Sequence, residues 1–141
     1  MTKVAEVMTH DAVSIGATDT IRQAAMMMAD HEVGSLPVCD GEELVGTVTD
    51  RDIAVRAVAS GVDPAAPVIE IATQHVQWCY EDDDINDVKR KMAGRRIRRV
   101  PVLDHEKHLV GIVSLGDIAT SDGAGAASTL KAVSRPTKPG R

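Results

Sequence analysis

Two stretches of this chain pass from a β-like run into a helix start through a hydroxyl and a carboxylate. They are Gly46-Thr47-Val48-Thr49-Asp50-Arg51-Asp52 and Gly111-Ile112-Val113-Ser114-Leu115-Gly116-Asp117. Where a helix follows a strand at once, its first backbone N–H groups lack an intrahelical acceptor and favour an anion. The Thr49 hydroxyl can donate to a phosphate or ribose oxygen. The Asp52 carboxylate, one turn in, can accept ribose hydroxyls. Gly46 permits close packing of the strand. The same residues have a structural reading. Thr49 and Ser114 can be N-caps, with Asp52 and Asp117 completing the first-turn charge pattern. On the residues alone both readings stand.

These stretches are placed by an internal repeat. Val4-Ala5-Glu6-Val7-Met8-Thr9 aligns with Val68-Ile69-Glu70-Ile71-Ala72-Thr73, and Leu36-Pro37-Val38 with Val100-Pro101-Val102. Both share an offset of 64, from 68 minus 4 and 101 minus 37. Leu44 to Thr49 aligns with Leu109 to Ser114 at 65, so the turn in between carries one inserted residue. Each repeat reads strand-helix-strand-strand-helix. In the first, Ala12 to Ile15 is a strand, and Thr18 or Asp19 caps a helix bearing Ile21, Ala24, Ala25 and Met28. Gly34 breaks that helix. Leu36 to Cys39 and Leu44 to Thr49 are strands about an Asp40-Gly41 turn. Asp50 to Ala59 is a helix that ends at Gly61. In the second, Val76 to Tyr80 is the strand. Asp82, Asp83 and Asp84 start a helix with an Ile85, Val88, Met92 stripe, and Gly94 ends it. Arg99 to Leu103 and Leu109 to Ser114 are the paired strands. A unit of this size cannot bury both faces of a small sheet alone, so the expectation is an α+β fold of two motifs packed by pseudo-two-fold symmetry through their sheets. The boundaries read as 1–60 for motif 1, 61–67 for the linker, 68–120 for motif 2 and 121–141 for a tail. In that tail, Ala127 to Val133 is expected to be helical and Ser134 onward mobile.

Other candidate groups read as structural. Cys39 and Cys79 form no C-x-x-C pair and read as buried small hydrophobes. His10, His31, His75, His105 and His108 show no zinc-ligand spacing and read as surface residues, so no metal is expected. Glu81 to Asp84 reads as a solvated helix start, and Arg95-Arg96-Ile97-Arg98-Arg99 as a basic edge that could balance it or bind phosphate. The 141 residues carry a formal charge of -5, one Trp, one Tyr and no Phe. That excludes an aromatic platform for single-stranded nucleic acid and gives no global pull toward nucleic acid or membrane. With no long apolar run and no signal-peptide pattern, a cytoplasmic protein is expected. There is no G-x-S-x-G, Walker A or G-x-G-x-x-G pattern, so no enzyme is expected.

The L-P-V-x-D strands (Leu36 to Asp40) and the L-V-G-x-V-[ST]-x-x-D-I-A endings (Leu44 to Ala54, Leu109 to Ala119), with Val100 to Asp104 as the second strand, resemble the CBS motif. A tandem pair of such motifs is a Bateman module. Asp50-Arg51-Asp52-Ile53, Arg98-Arg99-Val100-Pro101-Val102 and Leu130-Lys131-Ala132-Val133 are similar to actinobacterial stand-alone CBS-pair proteins of the hypoxic response protein type. Some of those relatives carry a first-strand cysteine that could pair with one at the place of Cys39; here that region reads Val13-Ser14-Ile15. The resemblance implies that Thr49 and Asp52, and likewise Ser114 and Asp117, contact the phosphate and ribose of an adenosine nucleotide. It further implies a phosphate-holding basic residue two places before the Pro of the opposite motif. That residue is Arg99, preceded by Arg98, for the Thr49/Asp52 site, whereas the Ser114/Asp117 site receives Ser35. Arg51 adds a cation where the matching Gly116 adds none, so the first site is expected to be the competent one.

The reading is thus a regulatory module for AMP, ADP or ATP that signals to another protein, requires no cofactor, and forms a homodimer observable by light scattering. The alternative is a stress-associated interaction dimer with vestigial sites. Because the segment from Ser134 has little apolar area to bury, truncation after Val133 is expected to leave the thermal unfolding midpoint nearly unchanged. A large fall would show that the tail docks on folded protein.

Overall fold

The computed structural model describes residues 1–121, so the expectations for the 122–141 segment lie outside the described residues. In chain order the elements are β1 (Thr9–His10), β2 (Ile15–Gly16), α1 (Ile21–His31), β3 (Ser35–Asp40), β4 (Glu43–Thr49) and α2 (Asp50–Asp52). The last continues as a π-helical stretch, Ile53–Val58. Then come β5 (Cys79–Tyr80), α3 (Ile85–Arg95), β6 (Arg99–Leu103), β7 (Leu109–Ser114) and α4 (Leu115–Ser121). Short 3-10 turns at Val4–Glu6 and Val68–Glu70 lead into the two repeats. The fold is mixed helix and sheet, with the expected repeat order.

The chain forms two compact units that do not follow the repeats. Among the described residues, one joins Met1–Ala12 to residues 77–121, and the other is Val13–Val76. The lead-in of each repeat therefore completes the body of the other. In the first unit, Val4 N–H donates to Asp83 O at 2.9 Å and Ala5 N–H to Glu81 O at 2.8 Å. In the second, Val68 N–H donates to Asp19 O at 2.7 Å and Ile69 N–H to Ala17 O at 3.2 Å, the same bonds shifted by one repeat. Val4 and Val68 are both wholly buried.

The Val13–Val76 unit has a three-stranded sheet in the order β2-β3-β4, parallel then antiparallel. Its core is aliphatic: Ile15, Ile21, Ala24, Met28, Leu36, Val38 and Val48, with Val68, Ile71 and Ala72 from the second lead-in. The other unit has a four-stranded sheet in the order β1-β7-β6-β5. Ile85, Val88 and Met92 of α3 and Val100, Val102 and Val113 of the sheet pack with Val4 and Met8 from the first lead-in. With so few rings in the chain, β-branched and Met side chains fill both interiors.

Several boundaries differ from the sequence expectation. The cap of α1 is Thr20, whose hydroxyl accepts from Gln23 N–H at 3.0 Å while the Gln23 side chain accepts from Thr20 N–H. Asp19 instead accepts from Gly16 N–H at 2.9 Å, as Asp83 does from Tyr80 N–H. Of the acidic run, it is Asp84 that caps α3, accepting from Asn86 N–H. The helices do not stop at Gly34 and Gly94. Glu32 and Arg96 take left-handed conformations, φ 54° and 57°. The following Val33 and Ile97 N–H groups close the ends on Met28 O and Met92 O, each at 3.0 Å. That six-to-one bond satisfies a terminal carbonyl without a glycine. Gly94 is thus an interior residue of α3. The strands before α1 and α3 are two residues each, paired parallel to β3 and β6.

Gly46 and Gly111 mark where a lead-in crosses a strand. A Cβ on Gly46 would lie 2.7 Å from Thr73 O, and one on Gly111 2.5 Å from Thr9 O and 2.9 Å from Met8 Sδ. Main-chain atoms bound in a ladder cannot step aside, since Thr47 and Thr73 exchange bonds of 2.9 and 2.8 Å and Thr9 pairs with Ile112. Gly94, by contrast, has nothing within 4 Å of a built Cβ. Gly111→Ala is therefore expected to destabilise by roughly 1–3 kcal/mol through overpacking. Gly94→Ala is expected to stabilise by about 1 kcal/mol through helix propensity. Chemical denaturation of both variants checks the pair, and a neutral Gly111→Ala would refute the crossing.

Candidate functional site

The two corners that end β4 and β7 are built alike. At the first, Asp52 N–H donates to Thr49 Oγ1 at 3.0 Å and Thr49 N–H donates to Asp52 Oδ2 at 2.9 Å. At the second, Asp117 N–H donates to Ser114 Oγ at 3.0 Å and Ser114 N–H to Asp117 Oδ2 at 2.9 Å. Both are reciprocal capping boxes. The capping role is therefore present in the structure. It does not use up the polar atoms. Each hydroxyl accepts from the backbone and keeps its own O–H to donate, and each carboxylate spends one oxygen on the cap. The other Asp52 oxygen, Oδ1, stands 3.8 Å from Arg56 Nε. Arg56 also reaches Ile71 O at 3.4 Å. At the matching place in the second repeat stands Ser121, so Asp117 has no such cation.

The carbonyl of the residue before each first hairpin strand fastens the helix start. Asp50 N–H donates to Gly34 O at 2.9 Å, and Leu115 N–H to Arg98 O at 2.8 Å. Across the hairpins, Ser35 pairs with Thr49 and Arg99 with Ser114. The structure thus gathers Thr49, Arg51 and Asp52 at one corner with Ser35 across the ladder. It gathers Ser114 and Asp117 at the other with Arg98 and Arg99. Arg51 and Arg99 are exposed and Arg98 half-buried. Arg99 belongs to one compact unit and Thr49 with Asp52 to the other.

A cavity of about 440 Å³ opens beside the second corner. Met92, Ala93, Ile97 and Leu115 give it an apolar floor, and Lys89, Arg96 and Arg98 give it cationic walls. This place was not singled out from sequence. Its signal was present in the basic run at the end of α3, once Ile97 is seen to turn inward beside Met92. An apolar cleft with a few charged groups suits a ligand with a hydrophobic body and an anionic end.

The remaining candidates fall elsewhere. Cys39 and Cys79 are free and buried. Burial pushes the Cys79 thiol up to about 12, with the nearby Asp83 charge acting the same way and Lys91 opposing it. Burial also raises Cys39, against a hydrogen bond with Ser14. Neither is a reactive thiolate. His105 Nε2 lies 2.8 Å from Asp82 Oδ2, and its ring stacks on Tyr80 at 4.3 Å. That bond foremost raises the His105 pKa and lowers that of Asp82. Asp104, Glu106 and His108 bring one ligand-type atom each within 4.8 Å of one another in the β6–β7 turn. Among the described residues no helix is long and apolar enough to cross a membrane.

Comparison with known proteins agrees with this arrangement. The family model for the CBS domain matches residues 4–58 and 68–122, the two repeats. The CBS domain-containing protein YhcV of Bacillus subtilis is 38% identical over 133 residues, covering 92% of this chain and 94% of the relative. The crystal structure of Hypoxic Response Protein I with two coordinated zinc ions superposes with a TM-score of 0.77 at 35% identity, covering 84% of this chain and 98% of that one. The CBS domain pair of protein MJ0100, in complex with 5′-methylthioadenosine and S-adenosyl-L-methionine, gives a TM-score of 0.75 at 31% identity. That match covers 89% of this chain and 98% of the other.

Proposed function

The chain belongs to the CBS domain family, and on that footing we propose that it is a regulatory module binding an adenosine nucleotide of the AMP, ADP or ATP kind. The observation that carries the reading is the duplicated strand-to-helix corner, in which a capping box holds a hydroxyl and a carboxylate rigid with polar capacity to spare. Support comes from the MJ0100 domain pair, whose structure holds two adenosine-containing ligands. In this reading the carboxylates of Asp52 and Asp117 are the ribose acceptors. The hydroxyls of Thr49 and Ser114 donate to ribose or phosphate. Arg51, Arg98 and Arg99 supply the cations. A cap that fixes the carboxylate before ligand arrives lowers the ordering cost of binding.

A binding module changes a partner only through its differential affinity for two states. The module is proposed to act as a cytoplasmic homodimer that passes its occupancy to a separate protein. The first corner is assigned as the stronger, because Arg51 stands where the second repeat has Gly116.

Thermal shift with AMP, ADP, ATP, NAD and S-adenosylmethionine identifies the ligand, since the midpoint rises with RT ln(1 + [L]/Kd). Calorimetric titration of variants then locates it. Asp52→Ala and Arg51→Ala are each expected to weaken binding ~10- to 100-fold, the worth of a hydrogen bond to a charged group. Asp117→Ala is expected to change it little. Loss of binding in Asp117→Ala with Asp52→Ala unaffected would move the working site to the second corner. Wild-type protein that binds none of the five compounds would overturn the reading in favour of an interaction dimer with vestigial corners.

A further inference from the structure

The turn between β6 and β7 differs from its counterpart in the first repeat in a way the fold does not require. The turn between β3 and β4 needs only Gly41, at φ 65°. The second turn holds the residue inserted between the repeats, reads Asp104-His105-Glu106-Lys107-His108 between its strands, and places Lys107 at φ 66°. Asp104 organises it. Its Oδ1 accepts from both Glu106 N–H and His108 N–H, each at 2.9 Å. The other oxygen, Oδ2, is thereby aimed at His108 Nδ1, 3.7 Å away. Glu106 Oε1 lies 3.9 Å from the same nitrogen. Two carboxylates and one imidazole thus present their donor atoms to a common point, all within 4.8 Å of one another.

We propose that Asp104, Glu106 and His108 form a divalent-metal site of the zinc type. Donors bound to one zinc ion at about 2.0–2.2 Å stand roughly 3.3–3.5 Å apart in a tetrahedron. The observed spacings exceed that by less than a side-chain rotation. The Glu106 side chain is 80% exposed and free to swing inward without disturbing packing. An imidazole nitrogen beside two carboxylates selects zinc and its borderline neighbours over magnesium or calcium, which take oxygen ligands alone. The ion would cross-link the two ends of the β6–β7 turn. The first repeat, with Gly41 and Glu42 in this turn, has no histidine there.

The site stands apart from the nucleotide corners, and its test is independent of them. Zinc chloride is titrated calorimetrically into metal-free full-length protein in a non-coordinating buffer. One zinc per chain is expected, with binding at least about tenfold weaker in His108→Ala, as loss of a metal-holding group costs. Glu106→Gln, a change at an exposed side chain that leaves the fold intact, is expected to weaken binding several-fold. His31→Ala, at the end of α1, is expected to bind as wild type does. Absence of stoichiometric binding, or equal binding by wild type, His108→Ala and Glu106→Gln, would overturn the proposal.

Discussion

At Gly46 and Gly111 a backbone carbonyl from a lead-in segment occupies the space of a side chain, 2.7 and 2.5 Å from where a Cβ would stand. This close crossing lets Thr73 bond to Thr47 and Thr9 pair with Ile112. It also delivers Val68 and Val4 into the two cores. A short sheet of three strands has too little apolar area to stand alone. The exchange of lead-ins supplies the missing cover. It also means that neither repeat is a self-sufficient folding unit, although each has its full set of strands and helices.

The corners inherit their geometry from that arrangement. β4 and β7 are held on one side by their hairpin partners and crossed at the glycine by a lead-in, so their last residues, Thr49 and Ser114, are fixed in place. Capping then fixes Asp52 and Asp117. Structural and ligand-binding readings of these residues are not rivals. The hydrogen bonds that end the strand and start the helix leave each hydroxyl its own O–H and each carboxylate a second oxygen. What separates the corners is charge: Arg56 stands beside Asp52 at the first, while Arg99 pairs across the ladder with Ser114 at the second.

Much of this was legible in the sequence because it was written twice. The offset between repeats fixed the element order, and alternating aliphatics gave β6 and β7 to the residue. Two kinds of feature were not legible. Helix ends were misplaced because Glu32 and Arg96 adopt a left-handed conformation that glycine normally supplies, and the closing bonds from Val33 and Ile97 depend on tertiary position rather than residue type. The exchange of lead-ins was hidden because a repeat alignment shows which segments are alike and not which segments touch. Gly46 and Gly111 carried the clue, since a glycine inside a strand signals a close backbone approach. The cationic cavity was hidden in the same way: Arg96 and Ile97 read as one basic edge until the helix end turns Ile97 inward beside Met92.

The exchange is the central claim, and native-state hydrogen exchange on Val4→Ala tests it most directly. Val4 precedes the first repeat in sequence but is buried against Val100, Val102, Val113 and α3 of the second. Removing its methyl groups leaves a cavity whose cost falls on the elements that line it. The account predicts faster amide exchange concentrated in β6, β7 and α3, with β3 and β4 much less affected. Loss of protection concentrated in β3 and β4 instead would contradict it.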